Sequence, residues 1–361
     1  MRRNRPVFAQ RRERRTGCLV YPLLLALILA VSLALNFINN GRVQVDTQSV
    51  TVASLPKDLE KFRILHISDL HGNEFGADQS TIAAMLKGKY YDAVCITGDV
   101  CAPDGSYDAF LKLIDLFAPS VPVYFIAGDE DPEPIVTHSQ GSDSPKADYV
   151  RAAEEHGAIY LDSPQKITVG KSVIWFCPLS MYGLDVDATR AAYQNRRDEL
   201  TATDVQYTPD GAAQIRAIDY QLSVLDAIGQ ANAEMKEDDT QVVLTHHPLT
   251  SATIRTLQQW AGEERGEFLR GVSLVLAGHY NGGLIRLPFL GALKAPATAD
   301  MPRGGWLPDD KELVGLSTVQ GVTQYISPGL GVSSAYLLRL RLFNTPAVTI
   351  LTLTATLQAV N

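Results

Sequence analysis

Acidic and histidine side chains follow five short apolar stretches of the chain, at the point where each stretch ends. Four of the seven histidines lie in these endings, which is hard to explain by histidines scattered for packing. The stretches and the residues that follow them are 64–67 with Asp69 and His71, 92–96 with Asp99, 121–127 with Asp129, Glu130 and Asp131, 241–245 with His246 and His247, and 273–277 with His279 and Asn281.

This combination of side chains favours a metal centre. Mixed aspartate and histidine ligands suit zinc, iron or manganese, and a central carboxylate can bridge two cations. Two cations about 3.5 to 4 Å apart can hold a hydroxide nucleophile and neutralise the charge of a phosphoryl group. We therefore expect hydrolysis of a phosphate ester.

The elements that must position these residues have the pattern of an α/β fold. The apolar stretches are short enough for buried strands, and segments with helical periodicity separate several of them. In one such segment Ile215, Ile218, Leu222 and Leu225 form an apolar helix face. Open α/β sheets place their sites at the carboxyl ends of strands, where these polar residues lie.

The five endings together resemble the motifs of the calcineurin-like metallophosphoesterases: DxH, GDxx, GNH(D/E), His-x-Pro and GHxH. The segments FRILHISDLH, ITGDV, GGLIRLPFLGAL, YISPGLG and LRLFNTPAVTILTL resemble the membrane-anchored bacterial branch of that family. The resemblance extends over about residues 50 to 355. It implies a four-layer sandwich in which two mixed β-sheets are flanked by helices.

The resemblance also implies a role for each matching residue. Asp69 and His71 would bind the first metal, Asp99 would bridge both metals, and Asp129, His246 and His279 would bind the second. We choose His246 over His247 because it has the family's His-x-Pro spacing, which leaves His247 to contact either a metal ligand or the substrate. The implied cofactors are two divalent ions, and manganese, zinc, iron and magnesium all stay open.

Three residues depart from the family pattern. Asp129 stands where the family has a metal-binding asparagine, Glu130 where it has a catalytic histidine, and Asn281 where it has a last histidine ligand. A neutral amide oxygen weakens the first metal site, and Glu130 can act as the acid only if its pKa is raised. We therefore expect reduced activity. The structural alternatives are helix capping for GDED and a left-handed turn for Asn281.

The N-terminal region predicts a membrane anchor. Residues 17–38 contain no charge and are long enough to cross a bilayer, and seven arginines precede them. We expect a basic cytoplasmic tail over 1–16, a transmembrane helix over 17–38 and an extracytoplasmic domain over 39–361, with a helical insertion over 185–240. A cleaved signal peptide is the alternative for the apolar run. The acidic remainder of the chain argues against nucleic-acid binding.

The predicted function is accordingly hydrolysis of a phosphomonoester or phosphodiester by a metal-bound hydroxide at the extracytoplasmic surface of the cell membrane. Phospholipids and cell-wall precursors are candidate substrates from this location alone. The alternatives are a catalytically impaired, tethered binding protein and a phosphatase with one tight metal.

A few other residues have weaker signals. The cysteines have no metal spacing and are interpreted as small buried side chains, although a disulfide stays open. His66 is interpreted as a core residue, and Arg339 and Arg341 as a pair that could steer phosphate.

Overall fold

The computed structural model describes residues 17–139, 141, 143–261, 269, 271–287, 289–296, 305–309, 312–332 and 341–355. The chain divides near Asn40 into two compact units. The predicted basic tail over 1–16 and Arg339 lie outside the described residues.

The first unit contains the apolar helix α1, Gly17–Asn40. Many of its large side chains are exposed, including Leu23, Leu25 and Leu29. Nevertheless, none of the helices in the described ranges combines the length and apolarity that a membrane crossing needs. The prediction of a transmembrane helix over 17–38 is therefore not supported, although the segment is helical.

The first sheet of the second unit has six strands in the order β1-β14-β2-β3-β4-β5. Strands β2 to β5 are parallel, whereas β14 runs antiparallel to β2. Their bounds are β1 Gln44–Val52, β2 Arg63–Ile67, β3 Ala93–Thr97, β4 Val123–Ile126, β5 Ala158–Tyr160 and β14 Ala347–Ala355.

The second sheet also has six strands, in the order β12-β13-β9-β8-β7-β6. The central pairs are parallel and the two outer pairs are antiparallel, so this sheet is mixed as well. Its strands, with the small hairpin β10-β11, are β6 Gln165–Val169, β7 Ser172–Pro178, β8 Thr240–Leu244, β9 Val272–Ala277, β10 Arg286–Leu287, β11 Gly291–Ala292, β12 Gly315–Val319 and β13 Val322–Ile326.

Helices connect the strands, and two long ones in the described residues, α5 and α6, lie between β7 and β8. The side chain of Asp185 caps α5 by accepting a hydrogen bond from the Ala188 amide, and Thr208 caps α6 in the same way. These two helices occupy the segment predicted as an insertion over 185–240. The helices are α2 Ser80–Leu86, α3 Asp108–Ile114, α4 Asp148–Glu155, α5 Val186–Thr201, α6 Pro209–Glu234 and α7 Ser251–Ala261.

The main core lies between the sheets. Tyr124 of β4 stacks on Phe176 of β7 with ring centroids 4.7 Å apart, and Ile64 and Leu274 belong to the same buried cluster. Each sheet buries a second cluster on its other face, where α3 and α4 cover the first sheet and α6 covers the second. The prediction of an α/β fold with two mixed sheets flanked by helices is confirmed.

Candidate metal centre

The loops after β2, β3, β4, β8 and β9 meet in one place, as the strand-end argument predicted. Backbone hydrogen bonds join neighbouring loops: Asp69 N donates to Gly98 O at 3.0 Å and His71 N donates to Asp99 O at 2.8 Å. Several site residues have left-handed backbone conformations, which cost energy for residues other than glycine and cluster at functional sites. They are Asp69, His71, Asp99, His279 and Asn281.

The first ligand group consists of Asp69, His71 and Asp99, all of them buried. Each offers a ligand atom, and these atoms lie within 4.8 Å of one another. His71 Nε2 is 3.7 Å from Asp99 Oδ2, which leaves room for a cation between them. This is the set predicted for the first metal.

The second ligand group shares Asp99 with the first and adds Asp129 and His246. His246 Nε2 lies 2.7 Å from Asp129 Oδ1 and 3.2 Å from Asp99 Oδ2. The other ring nitrogen, Nδ1, donates to Thr97 O at 2.7 Å, which fixes the ring and directs Nε2 into the site. Asp99 is thus placed between both groups, as a bridging ligand would be.

Two further histidines, His247 and His279, lie beside Asp129 of the second ligand group. His279 Nδ1 is 3.3 Å and His247 Nε2 is 3.8 Å from Asp129 Oδ1, and the two rings are 4.0 Å apart. His247 was predicted to contact either a metal ligand or the substrate. Its position beside Asp129 and His279 makes it a candidate metal ligand as well.

Asn281 directs its side-chain oxygen toward Asp69. Its amide nitrogen donates to His279 O at 3.2 Å, so that Oδ1 is the atom left for the site. A Cβ on Gly329 would lie 3.1 Å from Asp69 Oδ2 and 3.3 Å from Asn281 Oδ1, which shows that both oxygens converge beside this glycine. A larger residue at position 329 would intrude there.

Buried atoms without hydrogen-bond partners test whether a cation fits. Buried polar atoms are nearly always paired in proteins, so a cluster of unpaired ones needs a ligand. In the described part of the chain, atoms of this kind at the site are Asp69 Oδ2, both ring nitrogens of His71 and Asn281 Oδ1. These are metal-binding atoms, and the residues therefore fit divalent cations.

The charges of the site also favour a cation. Burial lowers the pKa of His246, but the carboxylates of Asp129 and Asp99 outweigh burial and raise it well above its ordinary value. Burial raises the pKa of Asp129, but His246 and His279 outweigh it and leave that pKa below its ordinary value. A proton on His246 thus balances the carboxylates where a metal ion would do so more strongly.

A sequence model described as calcineurin-like phosphoesterase matches residues 62–281, which include every residue named above for the two ligand groups. The chain belongs to the calcineurin-like phosphoesterase family. The membrane-anchored branch within that family stays a prediction. No curated protein matches the chain.

One solved structure that is similar is a phosphopantetheinyl hydrolase from Mycobacterium tuberculosis. The two chains are 15% identical, with 74% of this chain and 89% of that chain covered and a TM-score of 0.36. This similarity carries no argument about function.

In this calcineurin-like phosphoesterase the three carboxylates of GDED have three different environments. Asp129 belongs to the second ligand group. The Glu130 amide donates to Asp99 Oδ1 at 2.9 Å, and Glu130 Oε2 is 3.6 Å from His71 Nδ1. A Cβ at Gly128 would lie 2.1 Å from Asp99 Oδ1, which explains why the segment begins with glycine.

Asp131 holds the loop together, a role that sequence reasoning missed. Its Oδ1 accepts from the amides of Val100 and Cys101 at 2.8 and 2.7 Å, and its Oδ2 accepts from the Gly128 amide at 2.8 Å. Burial raises the pKa of Asp131. Nothing in the sequence pattern indicates these contacts, because two of the three partners, Val100 and Cys101, lie in the loop after β3.

Arg341 corrects another prediction. It is buried and donates to three carbonyl oxygens, those of Asn344 at 2.9 Å, Gly331 at 2.8 Å and Pro328 at 2.7 Å. The Gly331 amide in turn donates to Asp69 O at 2.5 Å. Arg341 therefore braces the loop beside the metal centre and is not exposed to steer phosphate, because its fork of donors is used by the backbone.

The remaining predictions concern core residues. His66 is buried, with Nε2 2.9 Å from Thr97 Oγ1, which confirms it as a core residue. Three cysteines, Cys95, Cys101 and Cys177, are buried free thiols. They behave as the small buried side chains that the sequence predicted, without a disulfide among them.

Proposed function

We propose that this protein hydrolyses a phosphomonoester or a phosphodiester with the help of two divalent cations. The observation that carries the proposal is the position of Asp99, which belongs to both ligand groups. Two cations that share one carboxylate can neutralise a phosphoryl group and activate a water molecule. Their identity stays open among manganese, zinc, iron and magnesium.

The residues of the site have different proposed roles. Asp69 and His71 would hold one cation, and Asp129, His246 and His279 would hold the other. Thr97 keeps His246 oriented through the Nδ1 hydrogen bond. Asn281 supplies only a neutral oxygen beside Asp69. Metal binding at the first ligand group would therefore depend more on the remaining ligands.

Two residues are proposed to act on the substrate. Glu130 stands in the family's acid position beside His71 and Asp99, and we assign it the proton that the leaving alcohol needs when the phosphorus–oxygen bond breaks. His247 is half exposed. Burial, together with the positive charges of His279 and His246, lowers the pKa of His247 to about 4, so it would contact the phosphate as a neutral donor.

The extra carboxylates favour a second candidate function. A unit charge about 5 Å from a phosphate costs about 3 kcal/mol at an effective dielectric of 20. If Asp129 and Glu130 both stay ionised without full metal occupancy, the protein would bind a ligand with little turnover. Attachment to a membrane, a location outside the cytoplasm, and phospholipid or wall-precursor substrates stay predictions from the sequence.

One experiment separates the two functions. The full chain is purified, its bound metal is measured, and a chromogenic phosphodiester is assayed with and without added manganese. The hydrolase is supported if the protein turns the substrate over, if Asp99→Asn abolishes this turnover, and if the exposed control Asp104→Asn retains it. Less than one metal ion per chain together with no turnover in any condition overturns it and favours the binding protein.

A further inference from the structure

A cavity of about 970 Å³ lies beside the metal centre. The loop after β4, the end of β7 and the helices α5 and α6 surround it. Small-molecule sites in proteins have volumes of about 300 to 1,000 Å³, so this cavity is at the upper end and far larger than a phosphate group requires. It can hold a sizeable part of a substrate.

The cavity is continuous with the metal centre. His246 and Thr245 line it on one side, and Ala127, two residues before Asp129, lines it on another. A phosphate ester bound at the cations would therefore have its organic part at the mouth of this cavity. The cavity thus borders the second ligand group at His246.

Aliphatic side chains make up much of the wall. On α6, Ala217, Ile218 and Leu225 are buried, yet they belong to none of the core clusters and line the cavity. Other aliphatic residues that line the cavity are Ile126, Leu161, Leu179, Leu184 and Leu244. Residues Val224 and Ile228 anchor α6 in the core under the second sheet, so the helix holds this wall in place.

The charges around the cavity argue against a nucleotide or a second phosphate. Among the described residues that line it, Arg196 is the one lysine or arginine, and it is paired with Glu199 at 3.1 Å. Glu133 and Asp162 add negative charge. An anionic organic group would be repelled, whereas an apolar group would gain from burial.

We propose that this cavity binds an alkyl or acyl chain on the alcohol part of the substrate. The proposal rests on the proposed function and narrows its substrates to phosphate esters of long-chain apolar alcohols. The aliphatic wall would select the chain, and the residues of the two ligand groups would hold the cations that bind the phosphate at its mouth.

The test compares methyl, hexyl and decyl phosphate with the full, metal-loaded chain, at concentrations below micelle formation. Each buried methylene is worth about 0.8 kcal/mol, about fourfold in kcat/KM. We expect kcat/KM to rise at least about hundredfold from methyl to decyl phosphate. Equal values for the three esters overturn the proposal while leaving the phosphoesterase function intact.

Two variants locate the effect in the cavity. Ala217→Trp fills the cavity and is expected to remove most of the preference for decyl phosphate while methyl phosphate is hydrolysed as before. The matched control, Ala191→Trp on the exposed side of α5, should keep the preference. If Ala217→Trp does not fold, Leu184→Gln keeps the size of a partly buried wall residue, adds a polar group and is expected to lower the preference at least about tenfold. An unchanged preference in the folded variants overturns the proposal.

Binding without turnover separates the two proposals. Decylphosphonate and methylphosphonate, which have no hydrolysable ester bond, are titrated into the full chain by calorimetry. If decylphosphonate binds tightly, Ala217→Trp abolishes this binding and no ester is hydrolysed, then the cavity proposal is supported and the proposed hydrolase function is wrong. Equal affinity for the two phosphonates overturns the cavity proposal regardless of turnover.

Discussion

His246 Nδ1 donates a hydrogen bond to the carbonyl oxygen of Thr97 at 2.7 Å and so joins the two sheets at the metal centre. His246 follows β8 of the second sheet, and Thr97 ends β3 of the first. The same ring presents Nε2 to Asp99 and Asp129. One side chain thus serves both the packing of the sheets and the candidate ligand set.

Substituting this histidine in two ways should separate the roles. His246→Asn keeps a donor near Nδ1 but has no atom at Nε2, so metal content should fall with little loss of stability. His246→Gln keeps an atom near Nε2 but leaves Thr97 O without this donor, which should cost about 1 to 3 kcal/mol of unfolding free energy. Chelator competition and urea unfolding of the metal-free protein measure the two effects. Equal losses of metal in both variants would contradict the assignment of metal binding to Nε2 and of stability to Nδ1.

Arg341 is expected to be essential for stability. Arg341→Met leaves three buried carbonyl oxygens without donors and removes the positive charge near Asp69, and should lower the free energy of unfolding by about 3 kcal/mol or more. Arg341→Lys keeps the charge and should lose less. Arg42→Met, at an exposed position, is the control and should change the free energy of unfolding by less than about 0.5 kcal/mol. A loss of unfolding free energy below about 0.5 kcal/mol in Arg341→Met would show that Arg341 does not brace the loop.

His66 should make the stability depend on pH. Burial lowers its pKa to about 3, whereas the unfolded chain binds a proton near 6.5. The unfolded state therefore holds one more proton between these pH values, and the free energy of unfolding should fall by up to about 1.4 kcal/mol per unit as pH decreases from 6.5 toward 3.

The His66→Gln variant can keep a hydrogen bond to Thr97 and has no proton to gain, so its unfolding free energy should fall less steeply over the same range. Urea unfolding of both metal-free proteins at several pH values measures the difference. Identical slopes would show that the buried imidazole does not control this dependence.

Restoring the family residues at two positions should raise activity. Asn281→His replaces a neutral oxygen near Asp69 by an imidazole, which should increase zinc or manganese binding at the first ligand group. Adding Glu130→His replaces the carboxyl acid by an imidazole, whose ordinary pKa near 6.5 suits proton donation close to neutral pH, and should raise kcat at least about tenfold. A folded, metal-loaded double variant that is no faster would contradict our account of these positions.

The sequence by itself determined the α/β fold class and the family. Short apolar stretches with polar endings placed the polar residues at strand ends, where α/β sheets have their sites, so Asp69, Asp99 and His246 could be grouped although they are distant in sequence. The helix over 212–228 also followed from periodicity alone. These features are local, because strand and helix periods are set by the backbone itself.

Only the tertiary structure decided what each polar side chain contacts. It separated Asp129, beside the histidines, from Asp131, which binds backbone amides of a neighbouring loop, although both lie in the same four-residue segment. It placed Arg341 in the interior and opened a cavity between α6 and the end of β7. Burial and hydrogen-bond partners depend on segments far apart in the chain, and the order of residues within one segment does not contain that information.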